Sequence, residues 1–311
     1  MRLRKKPMRV GVFLGVLLLV VAGASNAQTT SKGTGSTTFT VTVVGKKESA
    51  PPITKDDVQL FQGKERKQIG DWKKGEQLYL AILIDDSIET GAGGQWDYLK
   101  EFIMAQPATT AVAVGYIQNN TTRVAQDFTS DKALAAKALR LPMGIGALGS
   151  SPYLSLLDML KRWPDNAGPR RSIIVITSGI DYFRGGGFGA FYPDLDSVIQ
   201  RAERQNTNIW SIYYPSSGHR GHSFYLVNYA QNNIDKMSED TGAESYFLGA
   251  GVPVSIKPYL DEISTHLSNQ YLLTFSGAGG SKGKLQSMKV KTELSDVELI
   301  APAAVFLPPG S

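Results

Sequence analysis

LYLAILIDDSIETG, residues Leu78–Gly91, is the stretch that decides the fold of this chain. Its first seven residues are apolar on both of the faces that alternate along a strand. This pattern predicts a strand covered on both sides in a mostly parallel sheet. The polarity then changes abruptly, with polar side chains at Asp85, Asp86, Ser87 and Glu89. Because ligands of open α/β sheets bind beyond the carboxyl ends of the strands, we expect a polar site at this edge.

The middle of the chain alternates apolar strand patterns with amphipathic helix patterns. Three more buried strands are predicted at Ala111–Ile117, Ser172–Thr177 and Asn208–Tyr214, and an antiparallel edge strand at Arg123–Phe128. Strands and helices that alternate in this way are typical of βαβ units. The sequence therefore predicts an α/β fold with a doubly wound, mostly parallel sheet and helices on both faces.

Strand patterns bracket this α/β region at both ends. Thr38–Val44 shows β-branched alternation, and Gln270–Ser276 has a strand-like pattern near the other end. Neither flank has enough strands to be stable alone, so we expect the two to pair into one small β module. The predicted organisation is a signal peptide at 1–27, a disordered lead at 28–37, an N-terminal β flank at 38–76, the α/β domain at 77–268 and a C-terminal β flank at 269–311.

The first 27 residues have the pattern of a secretory signal. Five basic residues precede the apolar run Val10–Gly23, and Ser25, Asn26 and Ala27 form a small-residue cleavage site. An uncleaved membrane anchor is the alternative, but the run is shorter than the ~20 residues that a spanning helix needs. We therefore expect export to the periplasm or beyond the cell, with no membrane span once the signal is removed.

Charge and composition exclude several classes of function. The sequence has 33 Lys and Arg against 28 Asp and Glu, and loss of the five basic residues of the signal leaves a net charge of zero. A chain without a basic face is not expected to bind nucleic acid. There is no cysteine, which excludes disulfides and thiol chemistry.

No catalytic motif is evident in the sequence. It lacks a Gly-x-Ser-x-Gly nucleophile elbow, a His-Glu-x-x-His zinc motif and a phosphate-binding loop motif. His219 and His222 have no third ligand nearby in sequence. His266, in the last predicted helix, has no evident partner. We expect a non-enzymatic protein without an organic cofactor; the alternative is a hydrolase that uses Asp85 with Glu89 and Asp181.

A buried strand that ends in Asp-x-Ser-x-Ser resembles the first metal-binding loop of von Willebrand factor A domains. Asp85 and Ser87 occupy the first two positions, and Glu89 stands where the family has its last serine. The order of segments is similar to that of the secreted VWFA-related proteins typical of Acidobacteria, with TKDDV at Thr54–Val58 and QYLL at Gln270–Leu273. The resemblance implies the von Willebrand A fold and an adhesion-type function.

In that family, three loops form a metal-ion-dependent adhesion site above the sheet. By resemblance, Ser151 stands at the threonine of the second loop, and Ser178 replaces the aspartate of the third. Because Mg²⁺ needs several converging oxygen ligands, the loss of a carboxylate implies weak metal binding or none. Alternatively, Asp85 and Ser87 only satisfy backbone amides of their loop. The implied degenerate site comprises Asp85, Ser87, Glu89, Ser151, Ser178 and Asp181.

A glycine-rich, aromatic loop at residues 179–193 is expected at the same edge. Exposed aromatic side chains can anchor a partner, although these rings could also fold back onto the sheet. The predicted function is a secreted, non-enzymatic binding or adhesion-type protein that engages a protein or cell-surface partner through these loops. The alternative is a metal-independent scaffold or assembly protein. The predicted partner-binding rim comprises Asp86, Tyr182, Phe183, Phe188, Phe191 and Tyr192.

Overall fold

A computed structural model describes residues 35–46, 51–144, 150–183, 192–218, 223–247 and 249–310. The predicted signal at 1–27, residues 28–34 of the predicted lead, Phe188 and Phe191 lie outside these ranges. The described residues group into one compact unit. Within the described ranges, no helix is both long and apolar enough to cross a membrane.

Strands and helices alternate through the centre of the chain, and strands occupy both flanks. The strands are β1 (Ser36–Gly45), β2 (Val58–Gln62), β3 (Glu65–Lys67), β4 (Ile69–Lys74), β5 (Leu78–Asp85), β6 (Thr110–Gln118), β7 (Thr121–Thr129), β8 (Arg171–Thr177), β9 (Thr207–Tyr213), β10 (Ser245–Tyr246), β11 (Gln270–Ser276), β12 (Lys284–Thr292), β13 (Val297–Ile300) and β14 (Ala304–Leu307). The α-helices are α1 (Trp96–Met104), α2 (Lys132–Lys137), α3 (Pro152–Met159), α4 (Pro193–Arg204), α5 (Phe224–Asp240) and α6 (Lys257–Ser268).

The central sheet has six strands in the order β10-β9-β8-β5-β6-β7. All neighbouring pairs are parallel except β6 and β7, which form an antiparallel hairpin at one edge. The chain winds outward from β5 through β6 to one edge, then returns to β8 beside β5 and winds outward the other way. This order is that of a doubly wound sheet, and the predicted fold class is confirmed. The strand order reverses between β5 and β8, which is the topological switch point where such sheets bind ligands.

Strand β5 lies at the centre because both of its faces are apolar. Every residue from Leu78 to Asp85 is buried. Leu80 and Ile82 pack in an apolar cluster with α1 and α6 on one face of the sheet. Ala81 and Leu83 pack with α3, α4 and α5 on the other face. Two apolar layers therefore hold the strand in place, and its polar end is directed to the carboxyl edge.

The flanking strands form two further four-stranded sheets, with the orders β13-β1-β11-β4 and β14-β12-β2-β3. Each sheet contains strands from before and after the central domain. For example, β1 pairs antiparallel with β11 from Ser36 opposite Ser276 to Thr42 opposite Gln270. The strand thus begins at Ser36, so residues 36 and 37 are paired strand rather than part of a disordered lead.

Candidate functional site

Asp85 is the last residue of β5 and lies at the switch point. Its Oδ1 accepts a hydrogen bond from the backbone nitrogen of Ser87 at 2.9 Å. Its Oδ2 accepts one from the hydroxyl of Thr177, the last residue of β8, at 2.7 Å. The buried carboxylate therefore bridges the ends of the two strands between which the sheet reverses direction. Thr177 was missed by the sequence analysis, because its position at the end of an apolar strand gave it no polar role.

Burial raises the pKa of Asp85, and hydrogen bonds from Thr177 and the Ser87 backbone only partly oppose this change. The negative charge of the adjacent Asp86 raises the pKa of Asp85 further. A carboxylate taken out of water in this way is stabilised by a proton or a cation. The environment of Asp85 therefore favours binding of a positive charge.

Ser87 contributes a buried hydroxyl that makes no hydrogen bond to any of the described residues. The Ser87 hydroxyl also lowers the pKa of Asp85, in opposition to burial. The Ser87 carbonyl accepts hydrogen bonds from the backbone nitrogen of Ser217 at 2.9 Å and from its hydroxyl at 3.1 Å. The backbone of Ser87 is thus fixed by the loop after β9, while its hydroxyl has no hydrogen-bond partner in the part of the chain that the structure describes.

Ser151 and Asp181 are brought together by the loops before α3 and after β8. The Ser151 hydroxyl donates to Asp181 Oδ2 at 2.9 Å, and its backbone nitrogen donates to Asn120 Oδ1 at 2.7 Å. Ser151 also caps α3, by accepting a bond from the Leu154 nitrogen at 3.5 Å. Ser151 and Asp85 line the same cavity of about 10 Å³. A space of this size is near the minimum that a water molecule needs.

Two further residues of the predicted site, Ser178 and Glu89, each have hydrogen-bond partners of their own. Ser178 is buried, and its hydroxyl accepts a bond from the Ile180 nitrogen at 3.4 Å, within its own turn. Glu89 is half-buried, and its backbone nitrogen donates to the carbonyl of Pro215 at 3.0 Å. Burial raises the pKa of Tyr213 to about 12, and the charge of Glu89 contributes to this increase. Glu89 therefore faces the end of β9.

Asp86 is not exposed on the rim as predicted. It is 1% exposed, and its two carboxylate oxygens accept hydrogen bonds from the Arg140 guanidinium at 2.7 and 2.6 Å. That guanidinium lies 3.7 Å from the centre of the Tyr116 ring. The Asp86–Arg140 pair anchors the segment after α2 to the loop after β5. The reason is that a buried carboxylate requires a cationic or hydrogen-bonding partner.

The predicted aromatic rim is only partly present. Tyr182 is buried and packs with Ile180 and Ala230, so its ring folds back onto the domain rather than projecting from it. Tyr192 is half-buried against the apolar layer beneath α4. Phe183 is 49% exposed. Phe188 and Phe191 lie outside the described residues.

A different set of exposed apolar side chains surrounds the carboxyl edge. Phe224 is 70% and Tyr225 65% exposed at the start of α5, and their ring centres are 5.8 Å apart. By topology, the start of α5, the start of α6 and the segment after α2 all lie at this edge, because each meets the carboxyl end of a parallel strand or its loop. The exposed apolar residues of this edge, called the apolar rim below, are Leu141, Met143, Phe183, Phe224, Tyr225, Val252 and Val254.

Comparisons with known proteins found no matching family model and no matching curated protein. Solved structures are similar at low identity. An aerotolerance-related membrane protein from Bacteroides fragilis is 10% identical, covers 61% of this chain and 98% of its own, and has a TM-score of 0.43. BatB from Bacteroides thetaiotaomicron is 15% identical, with coverages of 62% and 98% and a TM-score of 0.42. The manganese-loaded TRAP protein of Plasmodium vivax is 11% identical, with coverages of 74% and 94% and a TM-score of 0.41.

The topology itself carries the structural conclusion. The central sheet is doubly wound with one antiparallel edge strand, helices cover both faces, and an Asp-x-Ser loop follows the central strand at the switch point. The residue patterns predicted the doubly wound sheet and its antiparallel edge strand, and the resemblance implied the von Willebrand A fold. The central domain of this chain therefore has the von Willebrand A fold.

Proposed function

We propose that this chain is an exported, non-enzymatic binding protein that engages a protein partner through its apolar rim. One observation carries the proposal: seven of the ten large apolar side chains that are exposed in the described residues belong to this rim. Exposed large apolar side chains are unfavourable in water, and a group of them at one edge is typical of an interaction site in a soluble protein. The paired rings of Phe224 and Tyr225 are suited to act as anchors, since aromatic residues dominate binding energy at interfaces.

The test is quantitative affinity capture from the surface and periplasmic fractions of the source cells. The exported chain is compared with the double variant Phe224→Ser, Tyr225→Ser. Met104→Ser is the matched control, because Met104 is 54% exposed but ends α1, away from the rim. We expect the same proteins to be captured by the wild type and the control and to be lost with the double variant. Capture that survives the double substitution would contradict the proposal.

We further propose that the Asp85 site binds Mg²⁺ weakly. Asp85 and Ser87 would hold the ion, with Ser151 completing the oxygen ligands. Three observations support this: the unpartnered Ser87 hydroxyl, the small cavity that Asp85 shares with Ser151, and the raised pKa of Asp85. Mg²⁺ is usually held by one or two carboxylates together with several waters, and the proposed ligands here include only one carboxylate, so the affinity is expected to be low. A bound Mg²⁺ would supply an open coordination position for a carboxylate of the partner.

A metal-independent scaffold is the second candidate function. The observation that favours it is the hydrogen bonding of Asp85, whose two oxygens already accept bonds from Ser87 and Thr177. EDTA separates the two candidates in the same capture experiment. Loss of the partner on chelation, and its recovery with Mg²⁺, supports the metal-dependent site, whereas capture that is unaffected by EDTA supports the scaffold.

A hydrolase is the weaker candidate. The described site contains the hydroxyl–carboxylate pairs Ser151 with Asp181 and Thr177 with Asp85, and each of these residues is at most 7% exposed. A substrate cannot reach a pair enclosed in this way without movement of the loops. We expect no ester or phosphate hydrolysis above the level of an Asp181→Asn variant.

A further inference from the structure

A second cluster of titratable side chains lies beside the edge strand β10. Glu244 immediately precedes this strand, and Glu262 and His266 are four residues apart on α6. One imidazole nitrogen and one oxygen of each carboxylate all lie within 4.8 Å of one another. The distance between His266 Nδ1 and Glu244 Oε2 is 3.3 Å. The cluster therefore gathers three groups of the kinds that bind metal ions.

This cluster is separate from the Asp85 site. Asp85 lies at the carboxyl end of β5, whereas His266 lies near the end of α6. The last residues of that helix, Leu267 and Ser268, share a cavity with Leu78, which begins β5. The two sites thus lie toward opposite edges of the central sheet.

The charge around the cluster is unbalanced. A cavity of about 600 Å³ is lined by Glu244 and Glu262 together with Asp235, Glu239 and Glu298, and no Lys or Arg is among its described lining residues. Carboxylates held together without a counter-charge repel one another, and a bound cation would relieve this repulsion.

The imidazole of His266 is held in a fixed position. The residue is 3% exposed and packs against the Trp210 ring, with 5.4 Å between ring centres. The hydroxyl of Tyr246 lies 3.4 Å from Nδ1 and donates to Glu244 Oε2 at 3.2 Å. Histidine binds metals through a ring nitrogen, and Nδ1 is the nitrogen that faces Glu244.

We propose that Glu244, Glu262 and His266 form a binding site for a divalent transition-metal ion, of which Zn²⁺ is the test case. One imidazole with two carboxylates suits Zn²⁺ or Mn²⁺ better than Mg²⁺, which prefers an all-oxygen shell with several waters. Ligand atoms around tetrahedral zinc are roughly 3.3 Å apart, given zinc–ligand distances of about 2.0–2.1 Å. Glu244 and His266 already have this separation, and an oxygen of Glu262 lies within 4.8 Å of both ligand atoms.

The site also joins two parts of the molecule. Residues 298–301, in and just after β13, line the same cavity as Glu244 and Glu262. A metal ion bound to the central domain would therefore reduce the repulsion between Glu298 and the carboxylates of the cluster. We infer that binding of the metal stabilises the packing of the flanking strands against the central domain.

The experiment is calorimetric titration of the exported chain with Zn²⁺, together with its melting temperature with and without the metal. We expect one equivalent to bind and the melting temperature to rise. Glu262→Gln and His266→Gln should each weaken binding by roughly tenfold or more. Glu262 is exposed, so its substitution tests the site even if the variant of buried His266 does not fold.

Three control variants locate the metal. Glu239→Gln changes a carboxylate that lines the cavity but is not a proposed ligand, Asp85→Ala removes the other candidate site, and His219→Ala with His222→Ala removes the remaining histidines. All three should bind Zn²⁺ as the wild type does. Absence of Zn²⁺ binding, or binding that persists in Glu262→Gln and is lost without His219 and His222, would overturn the proposal.

Discussion

At the residue scale, the site depends on which polar groups are satisfied and which are not. Asp85 is buried with two hydrogen bonds, Ser87 keeps an unpartnered hydroxyl, and Asp86 is neutralised by Arg140. Three polar residues in a row thus have three different roles, although their sequence positions look alike. The difference arises because each side chain meets a different neighbour from a distant part of the chain.

Ser178→Asp should strengthen Mg²⁺ binding by roughly tenfold or more, because it adds a carboxylate to a site that has one. Ser178→Asn is the matched control, since it has nearly the same size without the charge. Calorimetric titration with Mg²⁺ measures both variants beside the wild type. If the wild type binds Mg²⁺ tightly and Asp85→Ala leaves this unchanged, the ion lies elsewhere and our interpretation of the loop is wrong.

Glu203 gives the stability of the fold a pH dependence. It is 8% exposed, accepts a bond from the Ala304 nitrogen at 2.9 Å, and burial raises its pKa from 4.5 to about 7. The folded chain therefore holds this proton more tightly than the unfolded chain does. The resulting stabilisation is present below pH 4.5 and is lost as pH rises through 7, by up to about 3 kcal/mol.

Urea denaturation of wild type and Glu203→Gln at pH 5 and pH 8 tests this prediction. The amide keeps the oxygen that accepts from Ala304 but cannot ionise. The loss of stability between the two pH values should be smaller in the variant than in the wild type. An equal loss in both would show that other groups, such as Asp85, cause the pH dependence.

At the scale of elements, a buried arginine joins the central sheet to the flanking strands. Arg170 is 6% exposed and precedes β8. It donates to the side chain of Gln270 at 2.8 Å, to the carbonyl of Gly75 at 3.0 Å and to the carbonyl of Leu267. A Cβ at Gly75 would lie 2.7 Å from Arg170 Cδ, so this approach requires glycine. Both chain connections between the domain and its flanks therefore meet at one guanidinium.

Arg170→Ala should lower the free energy of unfolding by about 2–4 kcal/mol, because it leaves several buried acceptors without a donor. Arg162→Ala is the control. Its side chain is 45% exposed and pairs with Asp158 four residues earlier on the surface, so its loss should cost less than about 0.5 kcal/mol. Chemical denaturation measures both. Similar losses in the two variants would mean that Arg170 does not have this joining role.

At the scale of the whole molecule, the central domain is inserted between two flanks that share their sheets. Strands β1 to β4 precede it and β11 to β14 follow it, and β1 lies between β11 and β13. The two ends of the inserted domain are therefore held together by backbone hydrogen bonds of the flanks. The flanks thus support the domain that carries the apolar rim. This arrangement suits the proposed role, in which one edge of the domain is presented to a partner.

We expect the exported protein to begin at Gln28, because residues 1–27 have the pattern of a cleaved signal. N-terminal sequencing of the chain recovered from the periplasm or medium measures this directly. Replacing the small Ala27 by Tyr should block cleavage and leave a longer product. Recovery of wild-type chains that start at Met1 from the membrane fraction would contradict the prediction.

The sequence by itself determined the doubly wound sheet and the position of its polar edge. Apolar residues on both faces of Leu78–Ile84 specify a buried strand, and this pattern is local to the strand. Only the tertiary structure decided the side-chain partners: Asp85 with Thr177, 92 residues away, and Asp86 with Arg140, 54 residues away. It also gave His266 the partner Glu244, which the sequence did not indicate. The physical reason is that burial follows from periodicity along a strand, whereas a hydrogen bond requires two particular atoms to meet after the chain has folded.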